Sequence, residues 1–289
     1  MTRWPIGYHW AMRAYDRVRD YGGSFVWLNA DTIGDPAYAA DTEAFVASGL
    51  DFVLEIKFNS EARLKNLDGC WERDCRNVRG LLRARGLLSR CLAIQLDDEF
   101  YSNFAGGAGH WSRDRWPSVP RAARLRWHDL LPTIGEHVER RIVELRQAFG
   151  SDMPAAGVGM AETGGVIPPR TNGLDWWGIN GYLGTGRPRP ADVHRLYRDV
   201  VRLTPLPIMP VLGVYDDDTS MPVPPLSTLA AAYLPVLEQH APRIWAVGLF
   251  CLHHPSQYQP QAHVRGRGLL ELPGAYRDGV RWLTQAYGR

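Results

Sequence analysis

Cysteine is scarce in this chain: Cys70, Cys75, Cys91 and Cys251 are the four present, with no CxxC pair and no histidine at zinc-finger spacing. A disulfide scaffold and a structural zinc site are therefore excluded as organising devices. Cys70 and Cys75 fall in a segment read as helix, where a five-residue step points the two side chains apart. Reduced thiols, together with the absence of an apolar h-region in the first residues, give the expectation of a cytoplasmic protein. Long hydrophobic runs are also missing, and nothing approaches the roughly 18 apolar residues that cross a bilayer. Charge of one sign is missing too. Lys and Arg number 33 against 31 Asp and Glu, a net +2, which provides no field for a nucleic acid or a membrane surface. No GxGxxG follows the first apolar run, which removes the phosphate loop of a dinucleotide fold, and no GxSxG supplies a serine nucleophile. There are no internal repeats or low-complexity tracts. The 45% hydrophobic and 22% charged fractions are those of a globular protein with a large core, and 1–289 reads as one domain.

What the chain does contain is alternation. Eight short apolar runs bounded by turn residues occur in order at 6–10, 24–30, 52–58, 92–96, 155–160, 176–180, 208–214 and 245–252. Helix-length segments separate most of them: 36–48, part of 61–88, part of 121–149, 191–203, 226–239 and 274–287. This order predicts βα units and a parallel sheet, and the count of eight predicts a closed (β/α)8 barrel. In the long helix, Ile134, Val138, Ile142 and Leu145 form the inward stripe, with Glu136, Glu139, Arg140 and Arg141 largely outside. Ala40, Phe45 and Val46 play the inward part in 36–48. The segment 162–173, with Pro168 and Pro169, leaves no room for a full helix, so the fifth βα unit is expected to be degenerate.

Strands of such a barrel are covered on both sides, so polar residues near their C-terminal ends need a reason. Period-two alternation places Glu55, Lys57 and Asn59 on the inner side of the third run, and Gln95, Asp97 and Glu99 on the inner side of the fourth, with Asp98 outward or displaced. Trp27, Asn29 and Asp31 share a side of the second run. The sixth run ends in Asn180-Gly181-Tyr182, the seventh in Tyr215-Asp216-Asp217-Asp218 and the eighth in His253-His254. These ends converge on the C-terminal face, where barrels of this type hold their sites.

Three segments carry a resemblance. Leu96-Asp97-Asp98-Glu99-Phe100-Tyr101 is similar to the acid-bearing end of strand four in glycoside hydrolases with clan A-like barrels. Asp175 to Tyr182 resembles their sixth strand, and Gly248-Leu249-Phe250-Cys251 their eighth. The resemblance implies glycoside hydrolysis with Glu99 as general acid/base. In that family strand seven ends in a nucleophilic Glu, whereas this chain offers only aspartates there. An Asp is one methylene shorter and suits the inverting arrangement, with carboxyl groups about 6.5–9.5 Å apart rather than about 5–5.5 Å. Asp216 is the first choice for the second carboxylate, with Asp218 and Glu162 behind it. Asp97 and Asp98 are further acidic candidates beside Glu99. Trp10, Trp27, Asn29, Lys57, Tyr101, Asn180, Tyr182, Tyr215 and His253 are the expected sugar contacts, aromatics supplying stacking faces. Tyr8, Trp176 and Trp177 are also placed near strand ends, although aromatics fill barrel cores equally well.

Two other classes remain open: a noncatalytic carbohydrate-binding barrel, consistent with the missing strand-seven Glu, and a metal-dependent hydrolase or isomerase using His253 and His254 with Asp31 or Glu55. The first run carries Tyr8-His9-Trp10 rather than His-x-His, so no preformed two-histidine site is expected there, and no cofactor is expected. The segment 102–120, with Gly106, Gly107, Gly109, Trp111 and Trp116, is expected to wall the cleft. Arg113/Arg115, Arg187/Arg189 and Arg265/Arg267 sit in loops of the same face, which raises an acidic substrate against the simpler reading of solvated, charge-balanced surface arginines.

Overall fold

Each of the eight apolar runs becomes a strand. They are β1 (Ile6–Tyr8), β2 (Phe25–Asn29), β3 (Asp51–Ile56), β4 (Cys91–Asp98), β5 (Val158–Glu162), β6 (Trp176–Asn180), β7 (Ile208–Gly213) and β8 (Val247–Phe250). All neighbours pair in parallel, and β1 closes on β8 to complete the barrel. The computed structural model describes residues 3–9, 11–57, 70–98, 127–162, 173–181, 189–214, 225–250, 252 and 267–288; the side chains of 70, 97, 98, 127–135 and 137 are outside that description. The described α-helices are α1 (Ala30–Ile33), α2 (Ala39–Ser48), α3 (Cys70–Ala84), α4 (Trp127–Phe149), α5 (Pro190–Leu203), α6 (Leu226–His240) and α7 (Gly274–Tyr287). None of them is long and apolar enough to cross a membrane.

Alternation along the strands divides the core in two. Val26, Leu28, Leu54, Ile56, Ile94, Leu96, Trp177 and Ile179 face the helices, in one large cluster with Val138, Ile142 and Leu145 of α4. Phe25, Trp27, Val53, Ala93, Trp176, Met209, Val211 and Phe250 fill the barrel itself. The interior aromatics are accommodated by glycines opposite them. A Cβ on Gly7 would lie 2.1 Å from the Phe25 ring, one on Gly159 2.1 Å from the Trp176 ring, and one on Gly248 2.6 Å from the Trp27 ring.

Several local expectations change. Arg141 is buried rather than outside: its guanidinium bonds the Glu144 carboxylate at 2.7 Å and its carbonyl accepts the Trp71 indole N–H at 3.0 Å, so helix α3 covers it. Ala40 is exposed, and Thr42 takes its place beside Phe45 on the buried side of α2. Asp31 does not share a strand side with Trp27. Strand β2 ends at Asn29, whose side chain caps α1 by accepting the Asp31 N–H at 2.9 Å, as expected of Asn at an N-cap. The connection from β1 to β2 carries two 3-10 turns, Tyr15–Arg17 and Arg19–Tyr21, in place of an α-helix. Most of 162–173, on which the degenerate fifth unit was expected, lies outside the described residues, as does 102–120.

Two arginines bind the N-terminal face together. Arg90, just before β4, donates to the carbonyls of Leu50 and Val46 and lies over the Phe45 ring. Arg243, just before β8, donates to Val201 O at 2.8 Å, to Thr204 O at 2.6 Å and to Leu206 O. Each closes the C-terminal end of a helix whose last carbonyls lack intrahelical donors. Arg243→Ala leaves three carbonyls to water and is expected to lower the unfolding free energy by about 2–3 kcal/mol in urea titrations. A loss under about 0.5 kcal/mol would remove Arg243 from this role.

Candidate active site

The inward positions at the C-terminal ends of the strands form a layer of polar groups above an aromatic floor. Register puts Asn29, Glu55 and Gln95 side by side on β2, β3 and β4. Gln95 is fully buried, and its side-chain oxygen accepts the Trp27 indole N–H at 2.8 Å. This bond satisfies two polar groups that the barrel interior would otherwise leave without water. Glu55 is buried, and Lys57, just past the end of β3, holds its ammonium 3.5 Å from the Glu55 carboxylate, with 44% of the Lys57 side chain exposed. The charge at the mouth is thus paired at depth and open toward solvent.

His9 joins this layer from β1. Its ring centroid lies 4.0 Å from that of Trp27 at an interplanar angle of 30°, and 5.6 Å from that of Phe250. Its backbone N–H and carbonyl bond Leu249 O and the Leu252 N–H, which fixes it between β1 and β8. Burial first, and the nearby Lys57 charge second, hold the imidazole pKa down to about 3. The ring is therefore neutral at ordinary working pH. Sequence reasoning passed over His9, using it only as evidence against a His-x-His pair. The signal was present, since Ile6 and Tyr8 face outward, and alternation puts His9 with Gly7 on the inner side.

The described residues bring Trp27, Asn29, Lys57 and Asn180 to the C-terminal end of the barrel, with Asn180 buried on the Trp176 side of β6. The Asn29 side-chain oxygen is already engaged in capping α1. Asp97 and Asp98 are the last residues of β4, and a register shift between Gln95 and Asp98 sets Asp98 beside Ala161. Glu162 is buried, pairs in register with Ile179, and by parity shares the side of Val158 and Met160 in the outer layer. Glu99, Asp216, Asp218, Trp10, Tyr101, Tyr182, Tyr215 and His253 lie outside the described residues. Tyr8 and Trp177 face the helices, and the Tyr8 hydroxyl donates to Tyr21 O at 2.9 Å. Trp176 lies deep in the barrel, 5.3 Å from Trp245. Of the loop arginines, Arg189 is bound to Asp192 at 2.7 Å at the start of α5. Among the described residues no group of three or more His, Cys, Asp or Glu is arranged to hold a metal.

No protein-family model and no curated protein matches the sequence. Among solved structures, a GH2 β-galacturonidase from Eisenbergiella tayi superimposes with a TM-score of 0.61 at 11% identity, over 100% of this chain and 51% of that one. The chain thus spans about half the length of that galacturonidase. A GH113 β-1,4-mannanase matches with a TM-score of 0.53 at 12% identity over 99% of this chain and 100% of its own. A β-glucuronidase from Ruminococcus gnavus in complex with D-glucaro-1,5-lactone gives 0.61 at 11% identity, over 98% of this chain and 50% of that one. At these identities the likeness is one of fold: the chain is a (β/α)8 barrel, the fold that these glycosidases also carry.

Proposed function

We propose that this protein hydrolyses glycosidic bonds of an oligo- or polysaccharide with two carboxyl groups, Glu99 as general acid and Asp216 as general base. The observation that carries the proposal is the layer at the C-terminal mouth. Its groups Trp27, Glu55, Gln95 and Asn180 stand on the inner side of β2, β3, β4 and β6, and in sequence both carboxylates follow closely on barrel strands. Glu99 immediately follows Asp98, the last residue of β4, and Asp216 follows the end of β7 at Gly213 by three positions. The glycosidases sharing the fold support a glycosidase-type function. In this scheme Glu99 gives its proton to the leaving oxygen, while Asp216 takes a proton from a water that attacks the anomeric carbon from the opposite face. The outer-layer parity of Glu162 favours Asp216 over it as the second carboxylate, with Asp97, Asp98 and Asp218 as acidic neighbours that tune the pair. Trp27, Lys57, Asn180 and the aromatics Trp10, Tyr101, Tyr182 and Tyr215, with Asn29 and His253, contact the sugar.

The galacturonidase and glucuronidase are named for glycosides of uronic acids, the mannanase for a neutral β-1,4-mannan. A panel of 4-nitrophenyl glycosides of glucose, galactose and mannose beside those of glucuronic and galacturonic acid, together with neutral and uronic oligosaccharides, tests the function and the substrate charge. Hydrolysis of at least one member is the expected result. Binding without any turnover would instead favour the noncatalytic barrel. A preference for uronic substrates that weakens with salt would bring in the loop arginines.

A further inference from the structure

We infer that His9 is a hydrogen-bonding residue at the floor of the sugar site, a role that rests on the carbohydrate reading above. The geometry restricts this imidazole closely. Trp27 lies against it at 4.0 Å between centroids and Phe250 stands at 5.6 Å, so two aromatic neighbours limit its rotation. Backbone hydrogen bonds to Leu249 and Leu252 fix its Cα. Its relative exposure is 4%, yet neither ring nitrogen has a hydrogen-bond partner among the described residues. A buried polar ring normally satisfies both nitrogens with protein groups or water. One that is held between Trp27 and Phe250 at the C-terminal end of β1 without doing so is set to receive a group from outside.

The class of that group follows from the ring's state. Burial, and after it the Lys57 charge, disfavour an imidazolium, so His9 carries one N–H donor and one acceptor nitrogen, without charge. It does not attract an anion, and it has no proton to give as a general acid. A hydroxyl, which donates and accepts, is the complementary partner, and a sugar presents several. Trp27 contributes to the same surface: its N–H is spent on Gln95, leaving its ring to pack against His9. His9 is thus a specificity residue that orients one hydroxyl and leaves the protons of the reaction to the carboxyl pair.

Two readouts test this. In protein labelled with 15N at its nine histidines, one imidazole should remain neutral between pH 4.5 and 8, and it should be the signal lost in whichever of His9→Phe and His9→Asn folds. Its nitrogen shifts should move on saturation with one of the 4-nitrophenyl 1-thio-β-D-glycosides of glucose, galactose, mannose, glucuronic acid or galacturonic acid, which resist cleavage. In kinetics with the substrate selected from the panel, His9→Phe should raise KM about tenfold, the factor one neutral hydrogen bond supplies. It should change kcat less than about threefold, and His9→Asn should recover part of the loss. A His9 signal unmoved by every thioglycoside, or titrating near pH 6.5, overturns the inference, as does an unchanged KM in His9→Phe. A signal moved by a thioglycoside in a protein that hydrolyses nothing would uphold His9 as a sugar ligand and overturn only the hydrolase reading.

Discussion

Glu99→Gln is expected to lower kcat on an oligosaccharide by a factor of about 10² to 10⁴, the range general acid catalysis supplies, with the melting temperature unchanged. The substitution keeps size and hydrogen bonding but removes the transferable proton. A sugar alcohol is a poor leaving group and depends on that proton, whereas 4-nitrophenolate leaves without it. The loss should therefore be far smaller on an aryl glycoside than on an oligosaccharide, a contrast that a folding defect does not produce. Asp216→Asn should depress both substrates alike, because the attacking water needs its base whatever departs. Unchanged turnover in Glu99→Gln would move the acid to another residue, with Asp97 and Asp98 at the end of β4 next in line.

Trp176→Ala is expected to destabilise the fold by about 3–5 kcal/mol, as full truncation of a buried aromatic does. The residue is 1% exposed, faces the barrel axis and packs against Trp245. Its indole N–H has no hydrogen-bond partner among the described residues, so the loss is one of packing and cavity formation. Stability of domains is about 5–15 kcal/mol in total, so a substantial fall in the urea midpoint is expected. The converse change, Gly159→Ala, drives a methyl group to within 2.1 Å of the same ring and should also destabilise. Because one substitution empties the space that the other overfills, the double variant should be more stable than the sum of the two single losses predicts. Simple additivity would mean that the ring and Gly159 do not share that space.

The barrel was legible because its punctuation is strong. Strand β6 and helix α7 fall on the ranges read from the sequence, each set off by glycine, proline or aspartate. Positions where tertiary contacts override local pattern were not. Arg141 reads as a surface cation, but α3 covers it and Glu144 pairs with it. The first connection is too rich in buried tyrosine and valine to be mere loop, yet it winds into 3-10 turns rather than an α-helix. At the site, alternation located Glu55 and Gln95 correctly on the inner side. Counting onward to Asp97 and Glu99 crosses the register shift after Gln95, and a period-two rule carries no information through such an irregularity. His9 was missed because Tyr8 was read as a strand-end aromatic of the site; with Ile6 and Tyr8 facing the helices, alternation gives the inner side to Gly7 and His9. The interior glycines, which look like turn formers in sequence, are instead the spaces into which Phe25, Trp27 and Trp176 fit.

The most direct test of the central claim is to carry out the reaction in H2(18)O and weigh the products. A glycoside hydrolase places the solvent oxygen on the anomeric carbon of the newly formed reducing end. One 18O is expected in that fragment, none in the released alcohol, and no labelled product with the Glu99→Gln, Asp216→Asn double variant. Oligosaccharides recovered intact and unlabelled from a protein that binds them would contradict it and leave a carbohydrate-binding barrel in its place.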